Sequence, residues 1–155
     1  MFRSFGKGPF QMEAGNIERI SQPSVSRIIS RFSTIICRNV RNFIKFPSTP
    51  DDLFRTKAAF YTKYRMPNVI GLIDGSLISI KGPSGEREPL YVSRKGGHAI
   101  NVQVICDASM YITDIVARWP GATHDSFIWR NSGMRERFLQ NPPNGYFLGN
   151  FILQF

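Results

Sequence analysis

The sequence predicts an α/β fold in which basic helices precede a mixed sheet, and two observations support this prediction. Residues 21–66 carry helix-start signals and an apolar repeat of about 3.6 residues, whereas residues 69–120 contain three runs rich in β-branched residues. Hydrophobic residues make up 42% of the 155 positions, which is enough for a folded core. No apolar run reaches the roughly 18 residues of a membrane span, so we expect no membrane partner.

Positive charge is concentrated in the first half of the chain. The net charge is +9, and residues 1–73 contain 12 Lys and Arg against 4 Asp and Glu, whereas residues 74–155 contain 8 against 7. This asymmetry favours an anionic partner for the first half, with nucleic acid ahead of a membrane surface. The two cysteines, Cys37 and Cys106, lie in apolar runs, and we interpret both as buried free thiols.

A basic amphipathic helix of about six turns is predicted over residues 24–45. Ser21 and Pro23 are typical of a helix start, and Pro47 ends the repeat. The apolar face consists of Val25, Ile29, Phe32, Ile36, Val40 and Phe43. The opposite face consists of Arg27, Arg31, Arg38, Arg41 and Lys45, and no acid occurs between Glu18 and Asp51. We expect the apolar face to pack against the rest of the domain.

The basic face of this helix has two interpretations. It contacts the phosphate backbone of DNA, with Gln22, Ser24 and Ser26 near base edges if the helix is the second of a helix-turn-helix. Alternatively, it is a solvated face that keeps the chain soluble. The absence of any compensating acid favours nucleic acid. A second helix, which begins at Thr49-Pro50 and has acids in its first turn, is assigned to packing alone.

The sheet is expected to be built around residues 69–81, VIGLIDGSLISIK, in which Asp74 interrupts an apolar run and Gly75 follows it. Such a run is typical of a strand buried on both faces. A buried carboxylate needs a compensating partner, and a cation is the usual one. Alternatively, Asp74 lies at a strand end and accepts hydrogen bonds from nearby backbone amides. Gly75 permits the close approach of a ligand or backbone.

The order of the later elements predicts a partial ribonuclease-H-like mixed sheet. Residues 99–107 and 112–119 complete a three-stranded antiparallel meander, and a helix then starts near Asp125 and continues to residue 140. The start of a fourth strand follows at Tyr146, parallel to the first strand, and would place residue 150 beside Asp74. We therefore divide the chain into a helix-turn-helix-like segment, residues 1–66, and a nuclease-like domain, residues 67–155.

Several motifs together resemble the Harbinger (PIF) family of transposases and the domesticated nucleases derived from them. The motifs are PNVIGLIDG at 67–75, YVSRK at 91–95 with His98, NVQV at 101–104 with Cys106-Asp107, and WPGATHDS at 119–126. SQPSVSRII at 21–29 is similar to the helix-turn-helix segment that precedes the catalytic domain in that family. The similarity extends from about residue 10 to residue 149.

The resemblance implies a DDE endonuclease domain that uses a divalent cation, Mg²⁺ or Mn²⁺, held by the catalytic acids Asp74 and Asp125. Carboxylates suit this role because hard cations prefer oxygen ligands, and two such ions activate the attacking water and stabilise the leaving oxygen. The resemblance further implies DNA as partner, a second protein as a source of DNA targeting, and a nuclear location with the cytoplasm as an additional one.

The chain departs from the family pattern near its end. The family has an Asp where this sequence has Asn150, and its final Glu belongs to a later helix that this sequence does not contain. We therefore expect a truncated copy with little or no nuclease activity. Two rival interpretations are a non-catalytic protein that binds DNA or a partner through the helix at 24–45, and a product that does not fold stably because one face and one edge of its sheet are uncovered.

Several residues near the motifs have open roles. His124 either orients Asp125 or reaches the cation, or it only makes structural hydrogen bonds. Arg94 and Lys95 either hold a phosphate near the metal or form a solvated pair in a loop. Asp107 and Asp114 flank a hairpin turn, and we assign both to turn structure.

Overall fold

The structure of the protein, a computed structural model, describes residues 21–149 and the backbone of residues 153–154. The helices in these ranges are α1 (Gln22–Phe43), α2 (Pro50–Tyr64), α3 (Glu88–Tyr91), α4 (Asp125–Arg130) and α5 (Gly133–Gln140). The strands are β1 (Val69–Ser79), β2 (Ala99–Cys106), β3 (Ile112–Pro120), β4 (Tyr146–Leu148) and β5 (Leu153–Gln154). Within the part of the chain described, no helix has the length and apolar character needed to cross a membrane.

The strands form one mixed sheet in the order β3-β2-β1-β4-β5. β1, β2 and β3 make the antiparallel meander, β4 pairs parallel to β1, and β5 pairs antiparallel to β4. This arrangement confirms the predicted α/β fold, including the parallel placement of the fourth strand beside the first. Residue 150, which was expected beside Asp74, lies outside the described residues.

One face of the sheet is covered by α4 and α5, which enclose the larger part of the core. Its buried members are Phe46, Ile70, Ile73, Ile105, Trp129, Met134, Phe138 and Phe147. Phe147 of β4 is fully buried, and its ring lies 5.7 Å from that of Phe46 and 5.6 Å from those of Trp129 and Phe138. These aromatic contacts pack β4 of the sheet against α4 and α5.

The opposite face is covered by α2 near the start of β1. Phe60 of α2 is fully buried with Val69 and Ala108, and Lys63 Nζ donates a hydrogen bond of 2.9 Å to the Ala108 carbonyl. The Thr49 hydroxyl caps this helix as predicted, because it accepts a hydrogen bond from the Asp52 backbone N–H. α2 thus packs on the sheet, and the division of the chain at residue 66 stays a prediction.

α1 corrects an expectation about packing. Its bounds agree closely with the prediction, but it has no buried residue, and Phe32 and Phe43 on its apolar face are 63% and 83% exposed. The core clusters form between the sheet, α2, α4 and α5 without a residue of α1, so amphipathicity alone did not bring the apolar face of α1 into the core. Cys37, on the same helix, is exposed, and Cys106 is half-buried; neither is the fully buried thiol that we expected.

The region after Asp125 forms two helices where one was expected. α4 ends at Asn131, whose carbonyl oxygen accepts a hydrogen bond of 2.7 Å from Arg118 Nη2 on β3. α5 then begins at Ser132, whose hydroxyl accepts a hydrogen bond of 3.1 Å from the Arg135 backbone N–H. A new N-cap so soon after a helix end turns the chain and lets both short helices lie on the sheet.

Candidate active site

The carboxylate of Asp125, at the first position of α4, lies directly against the backbone of β1. A Cβ atom built on Gly75 would overlap Asp125 Oδ1 and would lie 2.6 Å from Asp125 Cγ. Only glycine leaves room for this contact. The close approach that the sequence suggested at Gly75 is therefore made by the side chain of Asp125.

Two buried amides of β2 hold Asp125 in this position. Asn101 Nδ2 donates hydrogen bonds of 2.7 Å to Asp125 Oδ1 and 2.8 Å to the Thr123 carbonyl, and Gln103 Nε2 donates one of 3.3 Å to the Asp125 carbonyl. Both Nδ2 partners are acceptors, which fixes the orientation of the Asn101 amide. One carboxylate oxygen of Asp125 is thus tied to the sheet.

The side-chain amide oxygen of Asn101, Oδ1, is buried and has no hydrogen-bond partner within the described part of the chain. A buried acceptor without a donor costs about 1–3 kcal/mol. A cation or a hydrogen-bond donor at this oxygen would remove that cost. Asn101 Oδ1 and the Asp125 carboxylate are oxygen groups of the type that hard cations bind, and the Asn101 amide contacts the carboxylate through its Nδ2.

These groups line a cleft of about 140 Å³, which we call the Asp125 cleft. Its walls are formed by Gly75, Leu77, Arg94, Asn101, Gly121, Ala122, Thr123, His124 and Asp125. Arg94, one of the two predicted phosphate contacts, is thus placed in the same cleft as Asp125. Lys95 is exposed and does not line the cleft as the structure describes it.

His124 is the N-cap residue of α4. Its Nδ1 accepts a hydrogen bond of 3.3 Å from the Ser126 backbone N–H and lies 2.9 Å from the Ser126 hydroxyl. An accepting Nδ1 carries no proton, so a neutral His124 ring has its proton on Nε2. The structure shows structural hydrogen bonds for His124 and places this residue at the wall of the cleft, and its role toward Asp125 or a cation stays a prediction.

Asp74 differs from its expected environment because it is exposed. Successive side chains of a strand point to opposite faces, so Asp74, which pairs with Val104, leaves the sheet on the face opposite to Gly75 and Asp125. The expectation of a strand buried on both faces is correct only for the first residues of β1, because α2 covers only that part of the second face.

The oxygen groups present fit one divalent cation better than a pair. Mg²⁺ is commonly held by one or two carboxylates, with waters and substrate phosphates completing its coordination. Among the residues that the structure describes, no three His, Cys, Asp or Glu side chains come together in a group that could hold a metal ion. Asp125 and Asn101 are the groups that would hold one ion, and a joint role of Asp74 and Asp125 stays a prediction.

The predicted DNA-binding residues lie on α1, except Lys45, which follows the end of this helix, and none of them lines the Asp125 cleft as described. Gln22, Arg27, Arg31, Arg38, Arg41 and Lys45 are exposed, and Ser24 is half-buried. Ser24 Oγ lies 3.0 Å from Ser21 Oγ, so the two hydroxyls share a hydrogen bond. Within the described ranges, the structure records no ion pair for the basic residues of this helix.

Asn101 and Gln103 are site residues that were not identified from the sequence. The sequence did contain a pattern that indicates a polar site. The two amides alternate with apolar residues along β2 and so occupy one face of a strand that is otherwise apolar. A buried amide on such a face needs a polar partner. The sequence could not name that partner, since Asp125 lies 24 residues further along the chain than Asn101.

The sheet order and the parallel pairing of β4 with β1 define a protein with a partial ribonuclease-H-like fold. Residues 73–152 match the family described as DDE superfamily endonuclease, and the chain belongs to this family. Its relatives include proteins named Putative nuclease HARBI1 and Protein ALP1-like, and these matches confirm the resemblance to the Harbinger family noted in the sequence motifs.

The chain is 31% identical to Putative nuclease HARBI1 of Rattus norvegicus over 147 residues, which cover 94% of this chain and 42% of that protein. It is 31% identical to the protein of the same name from Homo sapiens over 134 residues, which cover 86% and 38%. It is 26% identical to Protein ALP1-like of Arabidopsis thaliana over 132 residues, which cover 84% and 32%. The chain therefore spans less than half the length of these relatives. No solved structure matches it.

Proposed function

We propose that this chain is a DNA-binding domain of the endonuclease type, in which the Asp125 cleft binds one divalent cation, Mg²⁺ or Mn²⁺, together with a DNA phosphate. The observation that carries the proposal is the Asp125 carboxylate, which Asn101 holds against Gly75 in the cleft that Arg94 also lines. A family of endonucleases provides the substrate class, DNA.

The residues of the cleft have distinct tasks in this proposal. Asn101 keeps one oxygen of Asp125 bonded to the sheet, so that the carboxylate is held in place before a ligand arrives. Arg94 supplies positive charge for a phosphate, which its planar guanidinium can bind with two hydrogen bonds. When bound, a divalent cation would polarise the phosphoryl oxygen and lower the pKa of a bound water.

We also propose that the chain taken by itself cleaves DNA slowly or not at all. Two-ion phosphodiester hydrolysis needs several carboxylates around both ions. In the described residues, Asp125 is the only carboxylate in the cleft, and Asp74 leaves the sheet on the other face. In cells, we propose a nuclear location and a second protein that supplies DNA targeting.

Manganese binding tests the proposed cation site. We expect one Mn²⁺ to bind per chain, as measured by the loss of the EPR signal of free Mn²⁺. The affinity should fall at least about tenfold in Asp125→Asn, because a carboxylate ligand is removed. Asp51→Asn, an exposed acid on α2, is the matched control and should bind like the wild type. Two ions per chain, both absent in Asp74→Asn, would contradict the single-ion site and favour paired acids.

Plasmid nicking in the presence of Mg²⁺ or Mn²⁺ tests the proposed lack of cleavage. We expect no conversion of supercoiled plasmid above the level seen with EDTA. Metal-dependent nicking that disappears in Asp74→Ala would overturn this part of the proposal, because it would show that the first-strand acid works in catalysis.

A second candidate function is a non-catalytic one, in which α1 binds DNA or a protein partner. The observation that favours it is the exposure of both the basic and the apolar face of α1. This function depends on the arginines of α1 and is indifferent to Asp74→Ala and Asp125→Asn. Metal binding at Asp125 therefore separates the two functions.

A further inference from the structure

A second and larger cleft, of about 490 Å³, lies between α1, the edge strand β3 and the start of α5. We call it the arginine cleft, because each of these three elements contributes one arginine to it. Its walls are formed by Arg41, Asp114, Ile115, Val116, Ala117, Arg118, Ser132, Gly133, Met134 and Arg137. None of these residues lines the Asp125 cleft as the structure describes it.

The three arginines carry more positive charge than the described acid of this cleft neutralises. Arg41, Arg118 and Arg137 are exposed, and the structure records no ion pair for any of them in the described ranges. Arg118 is held in place, since its Nη2 donates to the Asn131 carbonyl and its guanidinium lies 5.2 Å from the centre of the Trp119 ring. Three like charges facing one cleft repel one another, and an anion would relieve that repulsion.

Asp114 is the one acid among the described residues that form the wall of the cleft. It is half-buried, and burial raises the pKa of its carboxyl group above the ordinary value, while its backbone hydrogen bond and Arg137 act in the opposite direction. Arg137 from α5 acts on it directly, and Arg118 from its own strand and Arg41 from α1 line the same cleft. One partly desolvated carboxylate therefore opposes three guanidinium groups, and the cleft remains cationic.

We propose that the arginine cleft binds the phosphate backbone of nucleic acid, as a contact separate from the Asp125 cleft. Guanidinium groups bind phosphate with paired hydrogen bonds. Arg41 belongs both to this cleft and to the basic face of α1, so the cationic surface continues along a helix of about 33 Å. A long basic surface suits a polymer of regularly spaced phosphates better than an acidic peptide. This inference rests on the proposed DNA-binding function.

The experiment measures binding of a short labelled DNA duplex over a salt series in EDTA, so that the metal site has no influence. The double variant Arg118→Gln with Arg137→Gln should weaken binding. It should also make the fall of log affinity with log salt less steep by roughly 2, since each arginine that no longer reaches a phosphate reduces the steepness by about one. Arg55→Gln with Arg87→Gln, two exposed arginines outside the cleft, is the matched control and should leave the slope unchanged. Asp114→Asn should tighten binding, because it removes the opposing charge.

The remaining arms of the experiment decide between explanations. Arg118→Lys with Arg137→Lys retains the charge and should retain the slope, which rules out misfolding as the cause of the weaker binding. An unchanged slope in the glutamine double variant, with wild-type binding intact, would overturn the arginine cleft and leave the proposed function standing. Wild-type protein that binds no duplex would overturn both. Polyglutamate is the probe for an acidic protein partner. If the glutamine double variant no longer binds polyglutamate but still binds the duplex like the wild type, the nucleic-acid assignment is overturned in favour of an acidic protein.

Discussion

Gly75 and Asp125 show how a single residue determines the geometry of the candidate site. The sequence identified both residues, one as a point of close approach and the other as an acid, but it could not show that they touch each other. Their contact depends on the placement of α4 over β1, which is a property of the packed sheet. Asp74 was expected in a buried position because its neighbours are apolar, yet the exposure of a strand residue depends on which helix covers it.

Gly75→Ala should displace the Asp125 carboxylate. The added methyl group would overlap Oδ1, so either the carboxylate or β1 must shift, and overpacking of this type costs roughly 1–3 kcal/mol of unfolding free energy. We expect a lower urea midpoint and a weaker affinity for Mn²⁺. Gly133→Ala is the matched control, because a Cβ atom there meets nothing within 4 Å. Unchanged Mn²⁺ affinity in Gly75→Ala would mean that Asp125 does not hold the ion from its observed position.

At the scale of the element, α1 separates what periodicity can predict from what it cannot. The 3.6-residue repeat and the start and stop signals gave the helix bounds to within about two residues, as is usual for such signals. The same repeat identified the apolar face but not what lies against it, because amphipathicity contains no information about the neighbouring element. The break between α4 and α5 was missed for a similar reason, since it depends on a cap at Ser132 and a contact from Arg118.

Neutralising the basic face of α1 should weaken DNA binding because fewer cationic groups then reach the phosphates. Changing Arg27, Arg31 and Arg38 to Gln should make the fall of log affinity with log salt less steep by roughly 3, because each phosphate contact contributes about 0.9 to its steepness. Fluorescence anisotropy of a labelled duplex over a salt series measures this slope. The control changes Arg55, Lys81 and Arg87 to Gln at positions outside this helix. Equal reductions of the slope in both triple variants would show that net charge, and not the helix face, drives binding.

At the scale of the whole molecule, strand order was predictable because the order of strands and helices matches the opening of a ribonuclease-H-like fold, in which the fourth strand lies parallel beside the first. A crossover connection gives a parallel strand, but β1 and β3 both have a free edge in the meander, so the connection alone does not select β1. The arginine cleft was not predictable in this way. Arg41, Arg118 and Arg137 belong to segments far apart in sequence, and only the packed structure shows that they line one cavity.

The interpretation that the chain does not fold stably stays a prediction, and a substitution in the aromatic core tests it. Phe147→Ala removes a fully buried ring that contacts three other aromatic rings, so we expect the unfolding free energy to fall by about 3–5 kcal/mol. Phe43→Ala makes the same chemical change at a side chain that is 83% exposed and should change stability by less than about 0.5 kcal/mol. Urea unfolding followed by tryptophan fluorescence is suitable, because Trp129 lies beside Phe147. A broad transition without cooperativity in the wild type, or equal effects of the two substitutions, would show that the aromatic core does not hold the sheet together in solution.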